Sequence, residues 1–541
     1  RPRPVCSWKH LDPIGRYAQL IYDQTSEVCQ NYEVDGIFYD ICHAGPSYSP
    51  ACLAMMKERG FDPEKWEDAV AFNTLKWGEF EKNCNDIIKA KHPEATVFYN
   101  GISAISSPLE LLANDTHFEL EDLPTMWGGY DKFPPRAKYF ERLGKKFLAM
   151  SGKFHTMWGE FGGFKHPDAI RFEAACMIAY GARCSMGDQL HPSGEADLAT
   201  YRSIGAGYAY VEKIEAYGLD GHSCSNLGLF LSKQKDQAQG VANMLMETQT
   251  DFQVVDWAVD AFSLEQYEAI ILPEAPGLSP AQAEALMNYV KAGGNLLLLG
   301  AAALNKDGKA FLLDLGAVYE GPGRYDVDYS VVGKELAQGL VETPFLNYSP
   351  AIRVKLTDGH ALGAIHEPYF SRTYGAYCSH QNTANQLEEA GHPLGWCVRR
   401  GQGTIVCLSH SLGEIYGKFG ARLHRQLFSN ALGMIHQSPT LKAPLPSSGR
   451  VNLVHQPQHR RYVVHLMYGP PLQRGRCMVI EDLVPIRDVE VELRVPQLIT
   501  QVTIAPHDPA QRRESKPALV DGAVKLTVPQ VKGHQMVVFA Y

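Results

Sequence analysis

Val34-Asp35-Gly36-Ile37-Phe38-Tyr39-Asp40-Ile41 is a short apolar run, rich in β-branched and aromatic residues, that closes on a carboxylate. A helical pattern over residues 16–31 precedes it, and the two together predict a buried parallel strand fed by its helix. At the carboxyl end of such a strand a side chain is held rigidly while the next loop opens to solvent, which is where (β/α) barrels place their chemistry. Asp40 is therefore the first candidate functional group, set against the plainer role of bracing the loop after it.

Downstream, helix and strand alternate. Helices are predicted over 50–60 and 63–91, then strand 95–99, strand 117–121, helix 135–144, strand 146–150, helix 167–181, strand 182–186 and helix 197–216. This makes five β/α units where a closed barrel of this type needs eight. The expectation is that about three upstream strands belong to the natural protein, or that another polypeptide completes the sheet; residues 1–11 look like the tail of a loop.

At 541 residues the chain is too long for one core. The expected class is a multidomain α/β protein: a (β/α)8-type barrel at 1–218, a doubly wound flavodoxin- or amidotransferase-like domain at 219–437, and a C-terminal β-sandwich at 450–541. In the middle region, strands at 226–231, 252–255, 269–272 and 295–299 alternate with helices, one of them opened by Ser279-Pro280-Ala281-Gln282 as cap, N1 proline and capping-box glutamine. Gly300-Ala301-Ala302-Ala303 offers no cysteine nucleophile and no phosphate loop is present, so this domain is expected to be catalytically empty. The proline- and serine-rich stretch 438–449 predicts a linker, and alternating runs such as 489–495 predict the sandwich.

A net charge of -9 without a basic stripe excludes nucleic acid as the expected partner. No apolar run approaches the roughly 20 residues needed to cross a bilayer. The twelve cysteines are scattered without a C-x-x-C pair, so reduced thiols and a cytoplasmic location are expected. Histidines and carboxylates lie on separate strands without ligand spacing, so neither metal nor cofactor is expected.

The strand ends carry the chemistry. His117, Glu119 and Glu121 share one face of their strand, which is costly unless that face lines a wet cavity. Trp127 follows that strand; His155, Trp158 and Glu160 lie in the glycine-rich loop after 146–150; Asp188, Gln189 and His191 follow 182–186. Aromatic rings stack on the C–H faces of sugars while carboxylates, amides and imidazoles hold hydroxyls, so these loops suit a carbohydrate.

The motifs D-G-I-F-Y-D (35–40), H-F-E-L-E-D-L-P-T-M-W-G-G-Y (117–130), F-H-T-M-W-G-E-F-G-G (154–163) and G-D-Q-L-H-P-S-G (187–194) resemble bacterial α-L-fucosidases of glycoside hydrolase family 151 and related barrel hydrolases. Glu160 stands where those relatives usually carry aspartate, and Asp122 where they carry serine. The middle region resembles the trimerisation domain of family 42 β-galactosidases, which implies a homo-oligomer, dimer or trimer. The resemblance implies a retaining exo-glycosidase with Asp40 as nucleophile, Glu121 as acid/base and Glu160 as its competitor; His117, Glu119, Trp127, His155, Trp158, Asp188, Gln189 and His191 would bind the sugar. The alternatives are a family 42-like β-galactosidase, or a non-catalytic carbohydrate-binding or assembly protein.

Overall fold

The computed structural model describes residues 10–43, 45–101, 104–231, 235–257, 263–273 and 278–541, so most of the loop tail expected at 1–11 lies outside the described residues. The chain forms two compact units, residues 1–121 with 144–150, and residues 122–143 with 151–541.

In the first unit the elements run α1 (Gly15–Asn31), β1 (Gly36–Tyr39), α2 (Pro50–Glu58), α3 (Trp66–Lys91), β2 (Thr96–Tyr99), α4 (Leu109–Leu112), β3 (Phe118–Glu121) and β4 (Phe147–Gly152), the last contributing its residues up to Met150. α3 forms because its apolar residues recur at helical spacing: Phe72, Trp77, Phe80, Cys84 and Ile88 are all buried. β1 and β2 pair in parallel from Gly36 opposite Thr96 to Tyr39 opposite Tyr99. β3 and β4 pair in parallel as well. Residues just before β3 reach back to β2: the Thr116 hydroxyl accepts from the Val97 amide at 2.8 Å and Asp115 Oδ1 accepts from the Tyr99 amide at 2.9 Å.

The expected burial of β1 is not met. Phe38 is 48 % exposed and Ile41 39 %. The apolar composition of 34–41 is enough to extend the backbone, but burial needs a neighbour on each edge, and among the described residues only β2 pairs with β1.

In the second unit, α5 (Phe133–Arg142), α6 (Pro167–Ala179), β5 (Arg183–Gly187) and α7 (Leu198–Gly218) precede a seven-stranded sheet. Five of its strands are parallel, and Gln253–Val255, Leu227–Phe230, Ala269–Leu272, Asn295–Leu299 and Gly403–Leu408 lie side by side in that order. Numbered along the chain this is 2-1-3-4-5, a doubly wound order. Gly395–Arg400 and His360–Ala361 continue it antiparallel. The Ser279 capping box is formed, with both reciprocal hydrogen bonds present.

Two further sheets face each other around a core that includes Leu453, Val464, Leu466, Val491, Val528, Val537 and Phe539. Leu441–Lys442, inside the stretch expected to be a linker, already pairs with Leu493 and Glu492, and Leu441 and Ala443 are buried in that core. Alternate residues of Ile486–Leu493 point inward, as their sequence alternation requires. The eleven described cysteines are all free. Among the described residues no helix is long and apolar enough to cross a membrane.

Candidate active site

Asp40 stands immediately after β1, and Asn100 occupies the same offset after β2, one step beyond the Tyr39–Tyr99 pair. The backbone continues to knit past the strands: the Asn100 amide donates to Tyr39 O and the Cys42 amide to Asn100 O, both at 2.8 Å. This close approach requires Gly101, whose φ is +134°; a Cβ there would stand 2.5 Å from Cys42 O. Ile41 sits at φ 56° and His43 at φ 61°, so the turn after Asp40 holds two side-chain-bearing residues in the left-handed region. Such strain persists only where the surroundings impose it.

Asn100 shares one amide between two carboxylates. Its Nδ2 donates to Asp40 Oδ1 at 2.9 Å and to Glu121 Oε2 at 3.1 Å. Two oxygens this near one nitrogen are separated by no more than about 6 Å, within reach of the spacing that retaining glycosidases use. The amide orientation is chemically imposed, since turning the ring of contacts over would aim a carbonyl at both acids. The Ile41 amide also donates to Asp40 Oδ1, at 2.9 Å. Among the described residues no donor engages Asp40 Oδ2. On the same strand as Glu121, His117 Nε2 and Glu119 Oε1 meet at 2.9 Å, and His117 Nδ1 meets the Thr116 hydroxyl at 3.1 Å. The alternation that placed these three residues on one face thus yields two pairs, His117 with Glu119 and Glu121 with Asn100.

Asn100 was not singled out by sequence. An Asn-Gly pair after a strand is ordinary turn chemistry, and the signal that could have found it is its equal offset with Asp40 from paired strand ends.

The remaining candidates belong to the second unit. Trp127 and Trp158 lie nearly parallel with ring centroids 6.5 Å apart, and Trp158 also meets Phe154 at 5.4 Å. Gly187 makes room for Trp158, because a Cβ there would meet its ring at 2.8 Å; one at Gly159 would stand 3.0 Å from Gln189 Oε1. Asp188 lies 3.9 Å from the buried Lys153 ammonium and accepts from the Gln189 amide at 2.7 Å. His191 is exposed and meets the Ser193 hydroxyl at 2.9 Å.

Glu160 is occupied by its own loop. It accepts from the Thr156 hydroxyl at 2.6 Å, the Thr156 amide at 2.9 Å and the His155 amide at 3.0 Å. The Thr156 hydrogen bonds, followed by that from His155, hold its carboxyl below the usual glutamate range. Asp122 is likewise engaged, ion-paired at 2.5 Å with both Lys132 and Arg136. Among the described residues no group of three or more His, Cys, Asp or Glu side chains could hold a metal ion.

No protein-family model matches the chain, and no curated protein matches it. Among solved structures it is similar to α-L-fucosidase isoenzyme 2 from Paenibacillus thiaminolyticus, with 35 % identity and a TM-score of 0.89, covering 97 % of this chain and 80 % of that one. It is also similar in fold to β-galactosidases from Rahnella sp. R3 (14 % identity, TM-score 0.64, 98 % and 82 % covered) and Bacillus circulans sp. alkalophilus (12 %, 0.64, 97 % and 82 %). With more than a third of its residues identical to the Paenibacillus enzyme over nearly its whole length, this chain belongs to the same family of glycoside hydrolases as that α-L-fucosidase.

Proposed function

We propose that the protein removes terminal α-L-fucosyl residues by a retaining double displacement, with Asp40 as nucleophile and Glu121 as acid/base. The observation that carries this is the Asn100 amide divided between these two carboxylates. Asp40 Oδ1, held by Asn100 and the Ile41 amide, fixes the carboxylate plane and leaves Oδ2 to attack the anomeric carbon. Glu121 first protonates the departing glycosidic oxygen, then takes a proton from the water that opens the glycosyl-enzyme. Glu160 suits this acid role less, because three donors from its own loop favour its charged form.

His117, Glu119, Trp127, His155, Trp158, Asp188, Gln189 and His191 are proposed to bind sugar hydroxyls and ring faces, on the strength of their motifs. Residues 1–218 are proposed to hold part of a (β/α)8-type barrel, followed by the doubly wound domain at 219–437 and the sandwich at 450–541. The doubly wound sheet carries no nucleophile after Leu299 and is proposed to serve homo-oligomer assembly; sedimentation should then give a species heavier than the monomer.

The test is a panel of p-nitrophenyl glycosides, with α-L-fucoside and β-D-galactoside side by side, on the parent and on Asp40→Gly. Release from the fucoside alone, lost in the variant by about three orders of magnitude or more and restored by azide as a glycosyl azide, is the expected result. Cleavage of the galactoside instead would move the substrate to the β-galactosidase alternative. A folded parent that binds sugars and cleaves none would make this a binding protein.

A further inference from the structure

Beneath the Asp40 turn and the end of β2 lies a cluster of ionisable side chains that touches neither proposed catalytic oxygen. His43, three residues after Asp40, is 6 % exposed at its side chain, packs on Trp77 with ring centroids 5.0 Å apart, and places Nε2 3.0 Å from Oε1 of the fully buried Glu81. This contact is an electrostatic pairing rather than an aligned hydrogen bond. Glu81, on α3, accepts on Oε2 from Asn114 at 2.8 Å, and its backbone carbonyl accepts from the Tyr99 hydroxyl at 2.9 Å. Asp115, 1 % exposed, accepts from the Tyr99 amide, while its Oδ2 is buried without a hydrogen-bond partner among the described residues.

Each member thus grips something next to the site. His43 ends the left-handed turn that aims Asp40; the Asp115 carboxyl holds the amide of Tyr99, the residue before Asn100; and the Glu81 carboxylate joins His43 to Asn114, the neighbour of Asp115. A core of apolar side chains would satisfy packing at lower cost than buried carboxylates, so their retention here calls for a purpose.

We propose that His43, Glu81 and Asp115 act as one positioning cluster that keeps the Asp40 turn and the Asn100 strand end aligned for the reaction. The inference rests on Asp40 and Glu121 as the reacting carboxylates. Burial, opposed by the Tyr99 hydrogen bond and reinforced by Glu81, raises the Asp115 carboxyl to about 8. Asp115 therefore enters the cluster uncharged at neutral pH, and its ionisation adds a negative charge beside Glu81 and Glu119, one residue from Asn100. The other groups facing it are Lys145, whose ammonium donates to the backbone carbonyls of Leu112, Ala113 and Asp115, and the Cys42 and Cys84 thiols, both pushed up chiefly by burial and so uncharged. Tyr39 and Tyr99 are also held neutral by burial.

The experiment measures kcat and KM on aryl α-L-fucoside across pH for the full chain and for Asp115→Asn, His43→Ala and His43→Gln. In the parent, kcat should fall on the alkaline side with a midpoint near the Asp115 value; in Asp115→Asn, which keeps the acceptor for the Tyr99 amide and cannot ionise, that limb should move upward. His43→Ala should lower kcat by about 10- to 100-fold with KM changed by no more than about twofold, since a misaligned nucleophile loses rate rather than binding. His43→Gln, which restores a donor toward Glu81, should recover most of the loss. An alkaline limb that is absent in the parent or unmoved in Asp115→Asn overturns the proposal, as does a His43→Ala loss confined to KM. If His43→Ala does not fold, the Asp115→Asn profile decides. Asp40→Gly with azide is run alongside: no glycosyl azide would remove Asp40 as nucleophile and with it the functional reading, whereas azide rescue with an unmoved limb removes only the cluster.

Discussion

Asn100 offers two hydrogens on one nitrogen to two carboxylates, and this single side chain ties the strand end of Asp40, the proposed nucleophile, to that of Glu121, the proposed acid/base. Replacing it with alanine should lower kcat by about 100-fold with little change in KM, because the interaction orients reacting groups rather than substrate. Asn100→Asp should be worse, since a third carboxylate would be set between two others without a hydrogen to donate. Steady-state kinetics on the fucoside checks both. Gly101→Ala makes a different claim: at φ +134° with Cys42 O 2.5 Å from the new Cβ, it should cost about 2–4 kcal/mol of stability in urea unfolding and disturb the Asp40 turn as Cys42 moves. Asp40 was recognisable from its place at the end of an apolar run. Asn100 was not, because its importance lies in what stands opposite it, and strand pairing is not written within one strand.

At the scale of elements, α7 meets the sheet strands Arg461–Tyr468 and Gly533–Ala540 through a chain of neutral imidazoles. The Tyr217 carbonyl, 3.3 Å from His465 Nε2, obliges that nitrogen to donate. His465 Nδ1 then accepts from His534 Nε2 at 3.0 Å, and His534 Nδ1 accepts from the Tyr210 hydroxyl, also at 3.0 Å. Burial pushes His465 down to about 4, and burial, followed by its histidine neighbours, holds His534 well below the ordinary value of 6.5. A depressed histidine favours folding above its unfolded pKa, and the benefit is lost as pH falls because the unfolded chain takes up the proton first. Thermal stability should therefore decline between pH 6.5 and about 4, with His465 accounting for on the order of 3 kcal/mol. His465→Gln should flatten that decline in a series of melting curves. Helical periodicity foretold α7, read at 197–216, since a 3.6-residue repeat is local; it could not foretell that histidines from a helix-facing sheet would stack on one another.

At the scale of the whole molecule, the stretch 438–449 has the composition of a linker, yet its Leu441–Lys442 pairs with the sandwich and Leu441 and Ala443 are buried in its core. The other face of that sandwich is not free either: Val454, Val463, Met536 and Val538 form one core with Ala174, Ala175 and Ile178 of α6 and Val211 and Ile214 of α7. Limited proteolysis should therefore release no stable fragment corresponding to 450–541, and a chain ended before residue 450 should aggregate as it bares the α6–α7 face. A stable fragment of that size on a gel would show the sandwich to be independent.

The sequence by itself determined most of the elements up to residue 299, the alternating strands of the sandwich and the strand-end positions of Asp40 and Glu121, because hydrophobic period, caps and turn residues act over a few neighbours; the strands and helices between 317 and 433 were not read from it. Tertiary structure alone decided that β1 is only partly buried, that one asparagine joins two carboxylates, that Glu160 spends its oxygens on its own loop and that Leu441 and Ala443 of a proline-rich stretch enter a core. Each of these depends on which distant segments come to lie side by side, and the local pattern of a chain carries no record of its neighbours in space.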